Sequence, residues 1–181
     1  MNDCIGEVMN VGNLLIVIDI QKGFINTKTR KALEIVEKAK KRLEYDVCVL
    51  TKFFNSDETS FSQFLHWKRF QTEKEQELAI EIEEKDKTIY KNTYSAVTDD
   101  LKSLICNGKY KKAYICGVET DSCVLATAFE LFDNGVKPMI IIDGCASMRG
   151  KKFHKAAELI MRRSFGDENV KSLEYYLGGQ K

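Results

Sequence analysis

Along the chain, short apolar runs alternate with longer stretches in which apolar residues recur at helical spacing. "NLLIVID" (13–19) is apolar almost throughout, which predicts a strand buried on both faces. "TKTRKALEIVEKAKKRLEY" (27–45) then gathers Ala32, Leu33, Ile35, Val36, Ala39 and Leu43 on one side of a helix. "DVCVLT" (46–51) returns to the strand pattern, as does "KTIYK" (87–91) after a polar, aromatic-rich segment from 52 to 85. A short helix in "DDLKSLICNG" (99–108) is predicted to stop at Asn107 and Gly108. A strand in "KAYICGV" (112–118), a helix over 121–133 ended by "DNGVKP", a strand "PMIIID" (138–143) and a helix over 151–165 follow. "NVKSLEYYL" (169–177) is read as one more strand. The single proline, Pro138, opens a strand, where a missing N–H costs least.

Such alternation, with strands apolar on both faces, predicts an α/β fold with a parallel sheet covered by helices on each side. At 181 residues and 44% hydrophobic composition, with no repeat or linker, one domain over 1–181 is expected. The 28 Lys and Arg nearly balance the 27 Asp and Glu. No broad positive field is available for nucleic acid or an acidic membrane, so a small-molecule or protein partner is favoured. The start "MNDCIGEVMNVGN" lacks a basic stretch leading into an apolar one, and no apolar run reaches the roughly 18 residues of a membrane span. A cytoplasmic location is expected. The six cysteines form no CxxC pair, and in that compartment a disulfide framework is not.

In open α/β sheets chemistry collects at the carboxyl ends of strands. Asp19 closes the first predicted strand, Lys91 the third, and Cys123 follows the fourth at the first turn of a helix. An acid, an ammonium and a thiol at three strand ends suit nucleophilic catalysis. A helix N-terminus and the Lys91 ammonium are expected to lower the thiol pKa, while Asp19 accepts its proton and returns it to a leaving amine. The two histidines are not needed: His66 stands alone, and His154 in "KKFHKAAELIMRR" reads as part of a solvated helix face.

Three stretches in order, "LIVIDIQKGF", "YKNTYSAV" and "GVETDSCVLATAFELFDNGVKPMIIIDGCAS", resemble the signatures of the isochorismatase-like cysteine hydrolases, a superfamily that includes nicotinamidases, N-carbamoylsarcosine amidohydrolase and isochorismatase. The resemblance runs from about residue 13 to 165. It implies a Rossmann-like three-layer α/β/α fold with a six-stranded, mainly parallel sheet in the order 3-2-1-4-5-6. It also implies an Asp19, Lys91 and Cys123 triad, a cis peptide joining Val118 to Glu119, and an oxyanion hole formed by the Glu119 and Cys123 N–H groups. In that order strands 1 and 3 are two spacings, about 10 Å, apart, so only a long side chain can lean across, and Lys91→Arg is expected to fail as well.

Nicotinamidases of the family share an Asp-x-His motif and a further His that ligate a metal. Here the region reads "VLTKFFNSDETSFSQFLHWKRF"; Asp57 lacks its His, and His66 alone makes no site, so no catalytic metal and no cofactor are expected. A thiol nucleophile favours cleaving the C–N bond of a small amide or ureide through a thioester over hydrolysis of the isochorismate vinyl ether. Phe24, Trp67 and Tyr94 are the candidate pocket walls. The aromatic segment 53–70 suits a pocket roof or a contact in a homo-oligomer. Cys145 follows the fifth strand much as Cys123 follows the fourth, which raises a reversible disulfide between them. A catalytically quiet α/β binding module is the rival class. A dinucleotide site is disfavoured because "DIQKGF", not GxGxxG, follows the first strand.

Overall fold

The structure is a computed structural model and describes residues 12–178. Cys4 and the N-terminal stretch in which no leader is expected lie outside them. Six strands form one sheet: β1 (Asn13–Ile18), β2 (Val47–Phe53), β3 (Lys87–Lys91), β4 (Lys112–Val118), β5 (Lys137–Ala146) and β6 (Val170–Lys171). Their order is β3-β2-β1-β4-β5-β6, and every pair is parallel. The longer helices are α1 (Arg30–Arg42), α4 (Asp99–Gly108), α5 (Leu125–Asp133) and α6 (Lys151–Phe165). Shorter ones are α2 (Ser60–Leu65), α3 (Glu73–Gln76) and α7 (Leu173–Leu177). The helices complete a three-layer α/β/α arrangement in which α1 packs on β4, β5 and α7, and α5 and α6 pack on β5. Among the described residues no helix is long and apolar enough to cross a membrane.

The apolar runs explain the layering. Leu14, Leu15, Ile16, Val17 and Ile18 are all buried because β1 lies mid-sheet with helices on both faces. The chain leaves β1 towards β2 and β3, then returns to lay β4 on the other side of β1. Such a reversal, here beyond the carboxyl ends of β1 and β4, is where ligands of open α/β sheets bind. Gly117 permits the close approach there: its φ is 123°, and a Cβ would stand 2.1 Å from the Ile18 carbonyl oxygen.

Three elements differ from the sequence reading. The strand expected over 169–177 shrinks to Val170–Lys171, because the Ser172 side chain accepts from the Tyr175 N–H and caps α7, which buries Leu173 and Tyr176. β5 continues past Asp143 to Ala146, pairing Cys145 with Gly117 and Ala146 with Val118. The segment 52–85 contains the short α2 and α3, each opened by a threonine whose side chain accepts a backbone N–H, Thr59 from Ser62 and Thr72 from Glu75.

Candidate active site

Asp19 follows β1 with a φ of 49°, a left-handed conformation that Asp tolerates better than most residues. It is wholly buried. The Thr51 hydroxyl on β2 fixes it twice, accepting from the Asp19 N–H at 2.9 Å and donating to Oδ1 at 2.6 Å. Lys91, the last residue of β3, reaches past β2 to bring Nζ within 2.8 Å of Asp19 Oδ2, both side chains being fully enclosed. Its ammonium also donates to the carbonyls of Thr93 at 2.9 Å and Tyr94 at 3.2 Å, and to Cys123 Sγ at 3.5 Å. Burial works against the charge on Lys91, yet the Asp19 carboxylate and the Cys123 sulfur outweigh it and raise its pKa.

Cys123 sits in a wide turn, Thr120–Val124, that leads straight into α5, with the Val124 N–H bonded to the Glu119 carbonyl at 3.0 Å. The Thr127 hydroxyl donates to the Cys123 carbonyl at 2.7 Å and accepts from the Ala96 N–H at 2.9 Å, tying the start of α5 to the chain beyond β3. The expectation of a lowered thiol pKa is reversed. Burial pushes the thiol up to about 12; Lys91 pulls against this and the Asp19 carboxylate reinforces it. At neutral pH the resting sulfur therefore carries its proton, beside the carboxylate best placed to take it.

The peptide joining Val118 to Glu119 is cis. Glu119 anchors the turn from its other side, its Oε2 accepting from the Met148 N–H at 2.9 Å and the Ser147 hydroxyl at 3.2 Å. Burial raises the pKa of this carboxyl, against the opposing Met148 hydrogen bond.

The isochorismatase domain family matches residues 13–167. The chain belongs to the isochorismatase family of hydrolases. Among curated members, isochorismatase domain-containing protein 2 of Bos taurus is 33% identical over 57 residues, a match that covers 32% of this chain and 28% of the relative's length. An isochorismatase-like hydrolase from Alkaliphilus metalliredigens superposes with a TM-score of 0.82 at 17% identity, covering 94% of this chain and 100% of the other. The pyrazinamidase of Pyrococcus horikoshii, solved with zinc, superposes with a TM-score of 0.74 at 22% identity, covering 90% of this chain and 98% of the other.

The residues of this chain do not fit such a metal. Asp57 is a surface carboxylate engaged by Lys68 at 2.7 Å and Gln71 at 3.1 Å, hydrogen bonds that hold it below its usual pKa. His66 is the exposed, left-handed residue that ends α2. Among the described residues, no three His, Cys, Asp or Glu side chains gather where they could hold an ion.

Phe24, Trp67 and Tyr94 join one aromatic cluster in different roles. Phe24 is buried and stacked on Phe70 with centroids 3.9 Å apart. Trp67 lies against Phe53, Phe61 and Phe70, and Tyr94 meets the edge of Phe61 at 4.8 Å while remaining 46% exposed. Phe53 continues the cluster to the site, its ring centroid 5.1 Å from Lys91 Nζ. Cys145 is a free thiol that donates to the Ile141 carbonyl at 3.3 Å. Burial pushes its pKa up to about 12, as it raises that of the neighbouring Cys116. His154 departs from the solvated role the helical pattern suggested: it is half-buried, with Nδ1 3.0 Å from the Thr120 hydroxyl. Thr51, Thr127 and Ser147, which hold the site's backbone, carried no signal in the sequence beyond their type.

Proposed function

We propose that this hydrolase cleaves the C–N bond of a small amide or ureide through a thioester on Cys123. The observation that carries the reading is the enclosed cluster in which one ammonium touches both a carboxylate, at 2.8 Å, and a sulfur, at 3.5 Å. As substrate enters, Asp19 takes the thiol proton and the sulfur attacks the carbonyl carbon. Lys91 remains an ammonium, as its raised pKa requires, and balances the charge that passes between sulfur and carboxylate. The N–H groups of Glu119 and Cys123 receive the oxyanion. Collapse of the tetrahedral adduct breaks the C–N bond, and Asp19 gives its proton to the departing ammonia or amine. Asp19 then deprotonates a water that hydrolyses the thioester, releasing the acid and restoring the thiol. Phe24, Trp67 and Tyr94 are assigned to the substrate's surroundings, and a homo-oligomer belongs to the same reading.

The test is ammonia release from a panel of small amides and ureides, with Cys123→Ala alongside and denaturing mass spectrometry after mixing. Release, or a covalent adduct, that is lost in the variant supports the reading. Release that persists in Cys123→Ala removes the covalent step. Neither release nor adduct across the panel points instead to a quiet binding module.

A further inference from the structure

Cys123 is presented by a turn whose first residue, Thr120, and the Glu119 before it are fastened to α6 and to the loop that leads into it. Glu119 is held through its carboxylate by Ser147 and Met148, just before α6. Thr120 is wholly buried, and its hydroxyl meets Nδ1 of His154 in the first turn of α6 at 3.0 Å. The His154 N–H makes that helix's first backbone hydrogen bond, to the Gly150 carbonyl at 3.2 Å. The turn that carries the thiol is thus referenced to α6 as well as to the sheet.

His154 is suited to hold that hydroxyl in a fixed sense. Burial lowers its pKa; Glu158 and Asp121 oppose this and Lys155 adds to it, so the ring is neutral at physiological pH. In the tautomer with its proton on Nε2, the neutral ring offers Nδ1 as an acceptor to the Thr120 O–H. A shift of Thr120 would move the N–H of Glu119 on one side and the thiol of Cys123 on the other.

We propose that His154 is a positioning residue for Cys123, acting through the Thr120 hydroxyl to fix the turn that aims the thiol. The proposal rests on the reading of Cys123 as the nucleophile, but its test does not require turnover. Labelling of Cys123 by iodoacetamide, followed by peptide mass at pH 8, is compared in the wild-type chain, His154→Asn, His154→Gln, Thr120→Val and the Thr120→Val/His154→Gln double variant. Labelling of the exposed Cys106 and the melting temperature are recorded in parallel.

An Asn amide can place an oxygen where Nδ1 stood, whereas a Gln amide reaches the Nε2 position. His154→Gln and Thr120→Val are therefore expected to slow Cys123 labelling about tenfold, within the range that small misplacements of a reacting group produce. His154→Asn should stay near the wild-type rate, the double variant should be no slower than either single variant, and Cys106 should be unaffected. Equal Cys123 rates in the wild type, His154→Asn and His154→Gln overturn the proposal, as do losses that multiply in the double variant. Slowing shared by Cys106 and matched by a fall in melting temperature also overturns it, because a general loosening then accounts for the effect. Absence of amide hydrolysis with the Asn and Gln pattern intact would remove the proposed function and leave the positioning role standing.

Discussion

Two buried trios of lysine, aspartate and cysteine occupy opposite ends of the same sheet. Beyond the carboxyl ends, Lys91 pairs with Asp19 at 2.8 Å beside Cys123. At the amino ends, Lys40 of α1 pairs with Asp86 at 2.6 Å, and the Asp86 carboxylate acts on the buried thiol of Cys48 in β2. Both thiols are pushed up to about 12, first by burial, with the carboxylate raising and the lysine lowering each. By residue type and thiol pKa the trios are near copies.

The backbone separates them. Cys48 lies inside β2, paired with Leu15 of β1, so its N–H and carbonyl serve the sheet. Lys40 also donates to the Glu81 carbonyl at 2.7 Å and pairs with Glu83 at 3.7 Å, which ties α1 to the chain entering β3. Cys123 instead lies beyond the end of β4, in the turn Thr120–Val124 that leads into α5, outside the sheet's ladder. An acid, a cation and a thiol in contact do not make a site; the chain geometry that presents them does.

The largest effect should come from neutralising each carboxylate. Asp19→Asn is expected to lower amide turnover by about 10²–10⁴-fold, the usual worth of a general base, whereas Asp86→Asn should leave turnover per folded molecule unchanged. Asp19→Asn should also lose roughly 3–5 kcal/mol of stability in urea unfolding, since it strands the buried Lys91, and Asp86→Asn should lose less, because Lys40 keeps Glu83 at 3.7 Å. Turnover losses of similar size in the two variants would erase the functional distinction.

A smaller effect separates the thiols directly. With equal pKa values, Cys123 and Cys48 should label equally with iodoacetamide if acidity governed reactivity. On the proposed function Asp19 serves as base to a reagent that reaches Cys123, whereas Cys48 lies within the sheet's ladder. Peptide mapping at pH 8 is expected to find Cys123 labelled at least about tenfold faster, at the lower end of what a positioned base and favourable orientation supply. Equal rates would reduce the first trio to the status of the second.

The sequence made the first trio legible and the second invisible, for one reason. Apolar runs mark strands, strands mark their own ends, and Asp19, Lys91 and Cys123 each stand at or just beyond one. Lys40, Cys48 and Asp86 fall within a helix, within a strand and in a polar segment, where no pattern distinguishes them from their neighbours. The segment 52–85 was unreadable because its order depends on single side chains: Gln21 Nε2 donates to the Phe53 and Gln76 carbonyls, and Asn55 Nδ2 to those of Trp67 and Arg69. The direction of the Cys123 pKa was missed because spacing carries no measure of enclosure. His154 was missed because a helical period gives a face, while the partner that removes His154 from solvent, Thr120, lies 34 positions away.

The subtlest comparison uses stability against pH, where the two trios should become indistinguishable. Cys48 and Cys123 have folded pKa values of about 12, above the ordinary thiol range, and Lys91 is raised above its own. A group whose folded pKa exceeds its unfolded value contributes stability that is fully present below the unfolded pKa and lost as pH climbs through the folded one. The unfolding free energy should therefore hold steady from neutral pH to about 8.5 and then fall towards pH 12, each thiol contributing up to about 1.4 kcal/mol per pH unit. Cys48→Ala and Cys123→Ala should each reduce that slope by the same amount, measured by urea unfolding at a series of alkaline pH values. A smaller slope in Cys123→Ala alone would mean that Cys48 is less enclosed than its partners imply. Equal reductions would place the difference between the trios in reactivity and leave none in stability, as expected if burial sets the acidity of both thiols and the backbone sets the chemistry of one.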